Sequence, residues 1–223
     1  MIVKICGITN PSDAQACLSA GADWIGLNLF SGPRKIQTPI ALQILDQLND
    51  PAAAVALVST DQDQVIEPTL ALLQAKGLGR IQLYGSPAAR DSDRIRSLGF
   101  EVVLPIHLRP GKEREDLASM AGRGSGDYLL IDTAVSGKPG GTGVAADWSE
   151  LTQGLSRVGR DHLPPILLAG GLRPECVGQA IRTVAPSGVD VCSGVELSPG
   201  RKDRAAVEAF VEAVRLAQGN GED

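Results

Sequence analysis

Eight short apolar runs that alternate with helix-like segments restrict the fold of this chain more than any other feature. Each run has the length of a β-strand and is bounded by turn residues such as glycine. The runs span residues 2–6, 24–30, 54–58, 80–85, 101–106, 127–132, 165–169 and 188–192. Eight strand–helix units of roughly 28 residues each predict an α/β fold, a single (β/α)8 TIM barrel with eight parallel strands.

The segments between the runs carry helix signals. Ala14, Cys17 and Leu18 have the spacing of one buried helix face, and Gly21 ends that helix. A last helix is predicted from about residue 202 to residue 217. A doubly wound open sheet is the alternative fold, but it does not usually require eight regular units. No linker or change in composition marks a second domain, so residues 1–223 are predicted to form one catalytic domain.

The composition excludes several classes of function. With 43% hydrophobic residues the chain can bury a sizeable core, and a net charge of -5 argues against non-specific binding of nucleic acid. The start lacks the pattern of a secretory signal, and no apolar run approaches the roughly 18 residues needed to span a bilayer. The four cysteines lack zinc-ligand spacing and are expected to be free thiols. We therefore predict a cytoplasmic protein with no nucleic-acid or membrane partner.

The first run ends in a cysteine, Cys6, and Gly7 lets the chain turn directly after it. In a parallel barrel this is the carboxyl end of a strand, where such folds place their chemistry. Lys4 lies on the same strand face, and a nearby ammonium favours the thiolate that can accept a proton. A small buried apolar residue is the alternative role for Cys6. Two roles are likewise open to Lys4, which can tune the thiol or simply fill the barrel floor.

Other polar residues lie at or near the strand ends. Asp132 ends the sixth run and can act as a general acid if its site raises its pKa, or can cap the following loop. Arg34, in a Gly-Pro loop after the second run, can clamp a carboxylate or remain a solvated charge. Gln82 and Asp190 are inward-facing supporting candidates, with core hydrogen bonds as the alternative role.

Glycines follow the last two runs. Gly170 and Gly171 come after the seventh run, and Ser193 and Gly194 come after the eighth. Glycines let backbone amides approach a phosphate closely, and the start of a helix adds a positive dipole end. These two exits are where many barrels bind phosphate. The glycine-rich loop 137–143 lacks the GK[ST] ending of a P-loop and is predicted to be a mobile active-site loop.

Several motifs together resemble those of the phosphoribosylanthranilate isomerase family, a (β/α)8-barrel family of tryptophan biosynthesis. They are KICGIT at 4–9, QLYG at 82–85, GGTG at 140–143, DW at 147–148, LAGGL at 168–172 and VDVCSGVE at 189–196. The resemblance extends over nearly the whole chain in the expected order. Its most specific parts are the KICGIT start and the DVxSGVE ending.

The resemblance implies a role for each candidate. Cys6 would be the general base, Asp132 the general acid, and Arg34 the contact to the anthranilate carboxylate. Gly170, Gly171, Ser193 and Gly194 would bind the phosphate. The implied reaction is an Amadori rearrangement of N-(5-phosphoribosyl)anthranilate, a small-molecule phosphosugar, without a cofactor or metal. The protein is expected to be a monomer or a homodimer.

Two positions depart from the family pattern, which often has histidine where Tyr84 stands and serine where Cys192 stands. Neither is an expected catalytic group. Related phosphosugar barrels, such as an indole-glycerol-phosphate synthase or a bifunctional histidine/tryptophan isomerase, are alternatives. A metal-dependent pentose epimerase would need histidine ligands, and His107 and His162 are too few. A non-catalytic barrel that binds a phosphosugar is the alternative from outside the enzymes.

Overall fold

Eight parallel strands close into a barrel in chain order, with β8 pairing with β1. The computed structural model describes residues 1–61, 67–86, 89–107, 112, 115–116, 126–132 and 148–219. The strands are β1 (Ile2–Ile5), β2 (Trp24–Asn28), β3 (Ala54–Ser59), β4 (Arg80–Tyr84), β5 (Glu101–His107), β6 (Tyr128–Asp132), β7 (Ile166–Ala169) and β8 (Gly188–Val191). The TIM-barrel prediction is confirmed, because closure between β1 and β8 rules out an open sheet.

Seven α-helices in the described part of the chain cover the outside of the barrel. They are α1 (Pro11–Ala20), α2 (Thr38–Asp46), α3 (Glu67–Ala75), α4 (Ala89–Ser97), α5 (Trp148–Val158), α6 (Pro174–Val184) and α7 (Arg204–Gly219). A described helix follows every strand except β5, whose next segment lies mostly outside the described residues. None of these helices is both long and apolar enough to cross a membrane.

The strands are buried on both faces, which explains why they occur as nearly continuous apolar runs. In β3, Val55 and Leu57 pack in the cluster that fills the barrel interior, while Ala54, Ala56 and Val58 pack in the larger cluster beneath the helices. This division follows from the period of two along a strand. The barrel centre is therefore a packed core, and only the strand ends are left for a site.

Helix α1 shows the local signals that set the strand–helix alternation. The side chain of Asn10 accepts a hydrogen bond from the Asp13 amide at 2.9 Å, and Pro11 follows it at the first helical position. Gly21 ends the helix with a φ of 104°, a left-handed conformation that glycine adopts without strain. The predicted end of this helix at Gly21 is confirmed.

Some element ends differ from the prediction for local reasons. Strand β2 stops at Asn28, two residues early, because the Asn28 side chain accepts a hydrogen bond from the Phe30 amide and donates one to the Ser31 carbonyl. Strand β5 extends one residue beyond the predicted run, to His107, and its Pro105 pairs with Leu130 of β6.

The last helix begins at Arg204, two residues later than predicted. The side chain of Asp203 caps its first turn by accepting hydrogen bonds from the amides of Ala205 and Ala206. Lys202 instead belongs to a short antiparallel hairpin, β9 (Glu196–Ser198) and β10 (Arg201–Lys202), in which it pairs with Glu196. This hairpin returns the chain to the carboxyl ends of β1 and β8.

Candidate active site

A buried ion pair forms the floor of the site. Lys4 and Asp190 are register partners on β1 and β8, and their side chains are 2.8 Å apart, with the Lys4 side chain fully buried. Burial alone would lower the pKa of Lys4, but the Asp190 carboxylate outweighs it and holds the pKa above its usual value. Lys4 therefore stays positively charged, and it lies one residue before the end of β1. The described contact of Asp190 is this ion pair.

Cys6 and Cys192 continue the same register beyond the strands. The Cys6 amide donates to the Val191 carbonyl at 2.8 Å, and both cysteines pack in the cluster of the barrel interior. Hydrogen bonding from the Cys192 thiol lowers the pKa of Cys6 to about 7; burial opposes this shift, and the Lys4 charge adds to it. Hydrogen bonding to Cys6, together with burial, raises the pKa of Cys192. Cys6 is therefore the thiol of the pair whose pKa is lowered, and the Cys192 thiol also lies 3.9 Å from Glu196 Oε1, to which it can donate its proton instead.

Asp132 ends β6 at the same barrel mouth and is half-buried. It pairs in register with Ala169, the last residue of β7, so its strand lies two strands away from β8. The pKa of the Tyr84 phenol is affected by groups on both sides of the mouth. Burial raises this pKa, and the charges of Cys6 and Asp132 raise it further. The candidate base and the candidate acid thus belong to one electrostatic environment.

Gln82 and Tyr84 share the interior face of β4. The fully buried Gln82 donates from Nε2 to the Tyr84 hydroxyl at 2.8 Å, and the rings of Tyr84 and Phe30 have centroids 4.9 Å apart. The described hydrogen bond of Gln82 is therefore a core hydrogen bond that fixes the phenol. Tyr84 lies at the mouth of the barrel. The sequence showed only that this residue departs from the family pattern.

Arg34 follows β2 and is not a free solvated charge. Its Nε lies 2.9 and 3.0 Å from the two carboxylate oxygens of Glu196, and its Nη2 lies 2.5 Å from Oε2. Burial raises the pKa of Glu196, but hydrogen bonds from Arg34 and Lys202 outweigh it and keep the pKa below its usual value. The hydrogen bonds between Arg34 and Glu196 also raise the pKa of Arg34. Neither Glu196 nor Lys202 was predicted from the sequence to lie at the candidate site.

The two glycine-bearing exits lie against each other. A Cβ added to Gly194 would lie 1.9 Å from the Leu172 carbonyl oxygen, so only glycine allows this close approach. Gly170 and Gly171 have φ angles of 96° and 66°, and a Cβ on Gly171 would meet nothing within 4 Å. Space therefore opens in front of the β7 exit, just before α6 begins. The exposed Ser193 is next to it.

The predicted mobile loop 137–143 and Asp147 lie outside the described residues. The other predicted site residues lie in, or in the segments after, six of the eight strands. They are Lys4, Cys6, Arg34, Gln82, Asp132, Gly170, Gly171, Asp190, Ser193 and Gly194. A closed parallel barrel with an ionisable thiol and a carboxyl at its strand ends defines a (β/α)8-barrel enzyme equipped for acid–base chemistry.

Comparison with known proteins gives the family. The sequence model of the family described as N-(5'phosphoribosyl)anthranilate (PRA) isomerase matches residues 3–213. A relative from Pseudomonas aeruginosa strain UCBPP-PA14, named N-(5'-phosphoribosyl)anthranilate isomerase, is 38% identical over 215 residues, which are 96% of this chain and 94% of the relative. The chain belongs to the phosphoribosylanthranilate isomerase family and is an isomerase of tryptophan biosynthesis.

Solved structures agree with this assignment. The phosphoribosyl anthranilate isomerase of Thermotoga maritima has a TM-score of 0.80 and 30% identity, covering 97% of this chain and 100% of that one. A phosphoribosyl anthranilate isomerase in complex with reduced 1-(o-carboxyphenylamino)-1-deoxyribulose 5-phosphate has a TM-score of 0.77 and 29% identity, with the same coverage.

Proposed function

We propose that this chain converts N-(5-phosphoribosyl)anthranilate to 1-(2-carboxyphenylamino)-1-deoxyribulose 5-phosphate, with Cys6 as general base and Asp132 as general acid. One observation carries the assignment of roles. The thiol of Cys6, whose pKa is lowered to about 7, shares a barrel mouth with a carboxyl group three strands away around the barrel. Two groups set apart in this way can act on two different atoms of one substrate.

The reaction needs one proton delivered and one removed. Asp132 gives a proton to the ribose ring oxygen as the bond from that oxygen to C1 breaks, and the ring opens to an iminium ion. The Cys6 thiolate then removes the C2 proton to give a neutral enol, which becomes the ketone as a proton adds to C1 and the C2 hydroxyl loses its proton. The iminium charge develops near the thiolate and favours this second transfer. Each positioned proton transfer typically contributes about 10²–10⁴ in rate, and neither step requires a cofactor.

Binding of the two anionic ends of the substrate is assigned to two separate sets of residues at the mouth. Arg34 would contact the anthranilate carboxylate through the guanidinium edge that Glu196 leaves open. Gly170, Gly171, Ser193 and Gly194 would hold the phosphate, which the open space at Gly171 and the closely packed Gly194 support.

All of these groups come from one chain, so the proposal holds for a monomer or a homodimer. The partner is a small molecule, with no nucleic acid and no membrane involved. We place the reaction in the cytoplasm, because all four cysteines are free thiols, which suits a reducing compartment.

Purified protein should be assayed for conversion of phosphoribosylanthranilate as the wild type, Asp132→Asn and Cys6→Ala. Each variant should lose about 10²-fold or more in kcat with a small change in KM, because each removes one proton transfer and no binding group. Cys17→Ala, in the buried face of α1, is the matched control and should keep its turnover. Wild-type turnover in Asp132→Asn would refute the acid role, and full activity in Cys6→Ala would refute the base role.

A further inference from the structure

We propose that Glu196 and Lys202 are positioning residues of this isomerase. In this proposal Glu196 orients Arg34 toward the substrate carboxylate, and Lys202 fixes Glu196 and the backbone that carries Cys6. The inference rests on the proposed contact between Arg34 and that carboxylate. Neither residue is expected to touch the reacting atoms, so each would act through another residue.

Glu196 and Lys202 are both charged and both almost fully buried. They face each other across the hairpin of β9 and β10, with Lys202 Nζ 2.9 Å from Glu196 Oε1 and side chains only 3% and 1% exposed. Removing two charges from water costs several kcal/mol unless hydrogen bonds compensate it. An ion pair that served only to close a surface hairpin would not need such burial. Its other contacts show what it holds.

Glu196 joins three parts of the chain through one carboxylate. It accepts hydrogen bonds from Arg34, from Lys202 and from the Gly200 amide at 3.1 Å. Arg34 uses its Nε and Nη2, one edge of the planar guanidinium. Its Nη1 has no hydrogen-bond partner among the described residues. A guanidinium held along one edge can present the other edge to a second carboxylate without losing rotamer freedom on binding.

Lys202 spans the two strand ends that carry the thiols. Its ammonium donates to the Cys6 carbonyl at 2.6 Å and to the Cys192 carbonyl at 3.2 Å, besides Glu196. These three bonds use all three ammonium protons. The carbonyls belong to the ends of β1 and β8, whose last ladder bond is the Cys6 amide to Val191. The Lys202 side chain thereby joins the ends of β1 and β8 beyond their last backbone hydrogen bond, and it fixes the backbone that carries Cys6.

The charges of the group leave a place for an anion. Arg34 and Lys202 are cations and Glu196 is an anion, so the three together carry one positive charge. A substrate carboxylate at the open edge of Arg34 would neutralise it. The alternative role of Glu196 makes the opposite prediction. If Glu196 only competes with the substrate for Arg34, its removal should strengthen substrate binding. The two accounts predict KM changes of opposite sign.

The test is a double-mutant cycle between Glu196→Gln and Arg34→Met, with steady-state kinetics and thermal unfolding for each protein. Glutamine keeps the size of Glu196 but loses an acceptor and the charge, so KM should rise about tenfold with kcat changed less than about threefold. With Arg34→Met already present, Glu196→Gln should change kcat/KM less than about twofold, while its effect on Tm persists. Glu101→Gln, in an Arg80–Glu101 ion pair at the amino ends of β4 and β5, is the control and should leave KM unchanged.

The outcomes separate the two proposals. An unchanged KM in Arg34→Met overturns the assigned role of Arg34, and the present inference with it. A raised KM in Arg34→Met with an unchanged or lowered KM in Glu196→Gln overturns only the present inference. Equal effects of Glu196→Gln in both backgrounds also overturn it, because they indicate a purely structural role. If Glu196→Gln does not fold, Glu196→Asp keeps the charge and decides by the same comparison.

Discussion

With Cys6 as the proposed general base, the thiol of Cys192 should set the pH at which the enzyme becomes active. In Cys192→Ala the Cys6 thiolate loses the neighbouring thiol that contributes most to lowering its pKa, a thiol it shares with Glu196 Oε1 3.9 Å away, while the Lys4 charge and the burial stay. A hydrogen bond to a charged group contributes about 1.5–3 kcal/mol, and a thiol is a weak donor, so we take about 1.4 kcal/mol. That free energy corresponds to about one pKa unit. The pKa of Cys6 should therefore rise from about 7 toward its usual value.

The assay is kcat/KM as a function of pH for the wild type, Cys192→Ala and Cys192→Ser. On the acidic limb kcat/KM follows the thiolate fraction, so Cys192→Ala should be about tenfold less active there and should approach the wild type at high pH. Serine keeps a hydrogen-bond donor at this position, so Cys192→Ser should stay within about threefold of the wild type. Three superimposable profiles would refute the reasoning, as would a loss in Cys192→Ala that is the same at every pH.

Two further predictions concern the floor and the phosphate side of the mouth. Lys4→Met should cost about 3–5 kcal/mol in the free energy of unfolding, because it leaves Asp190 buried without its cation; denaturant unfolding measures this, and the double variant Lys4→Met/Asp190→Leu should recover part of the loss. A larger loss in the double variant would contradict the ion-pair argument. Gly194→Ala should raise KM about tenfold or more, because its Cβ would push the Leu172 carbonyl out of place, a collision worth over 1.4 kcal/mol. Gly178→Ala, within α6, should leave KM unchanged, and an equal KM in both variants would argue against a phosphate site at this exit.

The barrel could be predicted from the sequence because its information is local. Each strand is an apolar run of the right length, and signals such as Asn10 with Pro11, and Gly21, mark where a helix starts and ends. Eight repeats of this pattern leave few topologies. The predicted strand ends are wrong where a side-chain hydrogen bond ends the strand. At Asn28 the side-chain amide makes such bonds and turns the chain before the apolar run is finished.

The site was only partly predictable, because its energetics depend on residues far apart in the sequence. The sequence placed Cys6 and Asp132 at strand ends, but it could not show that Cys192 would face Cys6 across the β1–β8 register. Lys202 was assigned to a helix since it precedes a strong amphipathic pattern. Only the folded chain brings it to Cys6 and Glu196. The capping residue Asp203 was the one local signal that could have placed the helix start correctly.

The pairing of the first strand with the last has a consequence for synthesis of the protein. The Lys4–Asp190 pair joins residues 186 positions apart, and the Cys6–Lys202 contact joins residues 196 positions apart. While the ribosome is still making the seventh strand, Cys6 has already been translated, but Cys192 and Lys202, its neighbours in the folded protein, have not. Because folding proceeds as the chain emerges, the barrel stays unclosed for most of translation. Catalytic competence should therefore arise late, once β8 and the following hairpin have been translated and dock against β1.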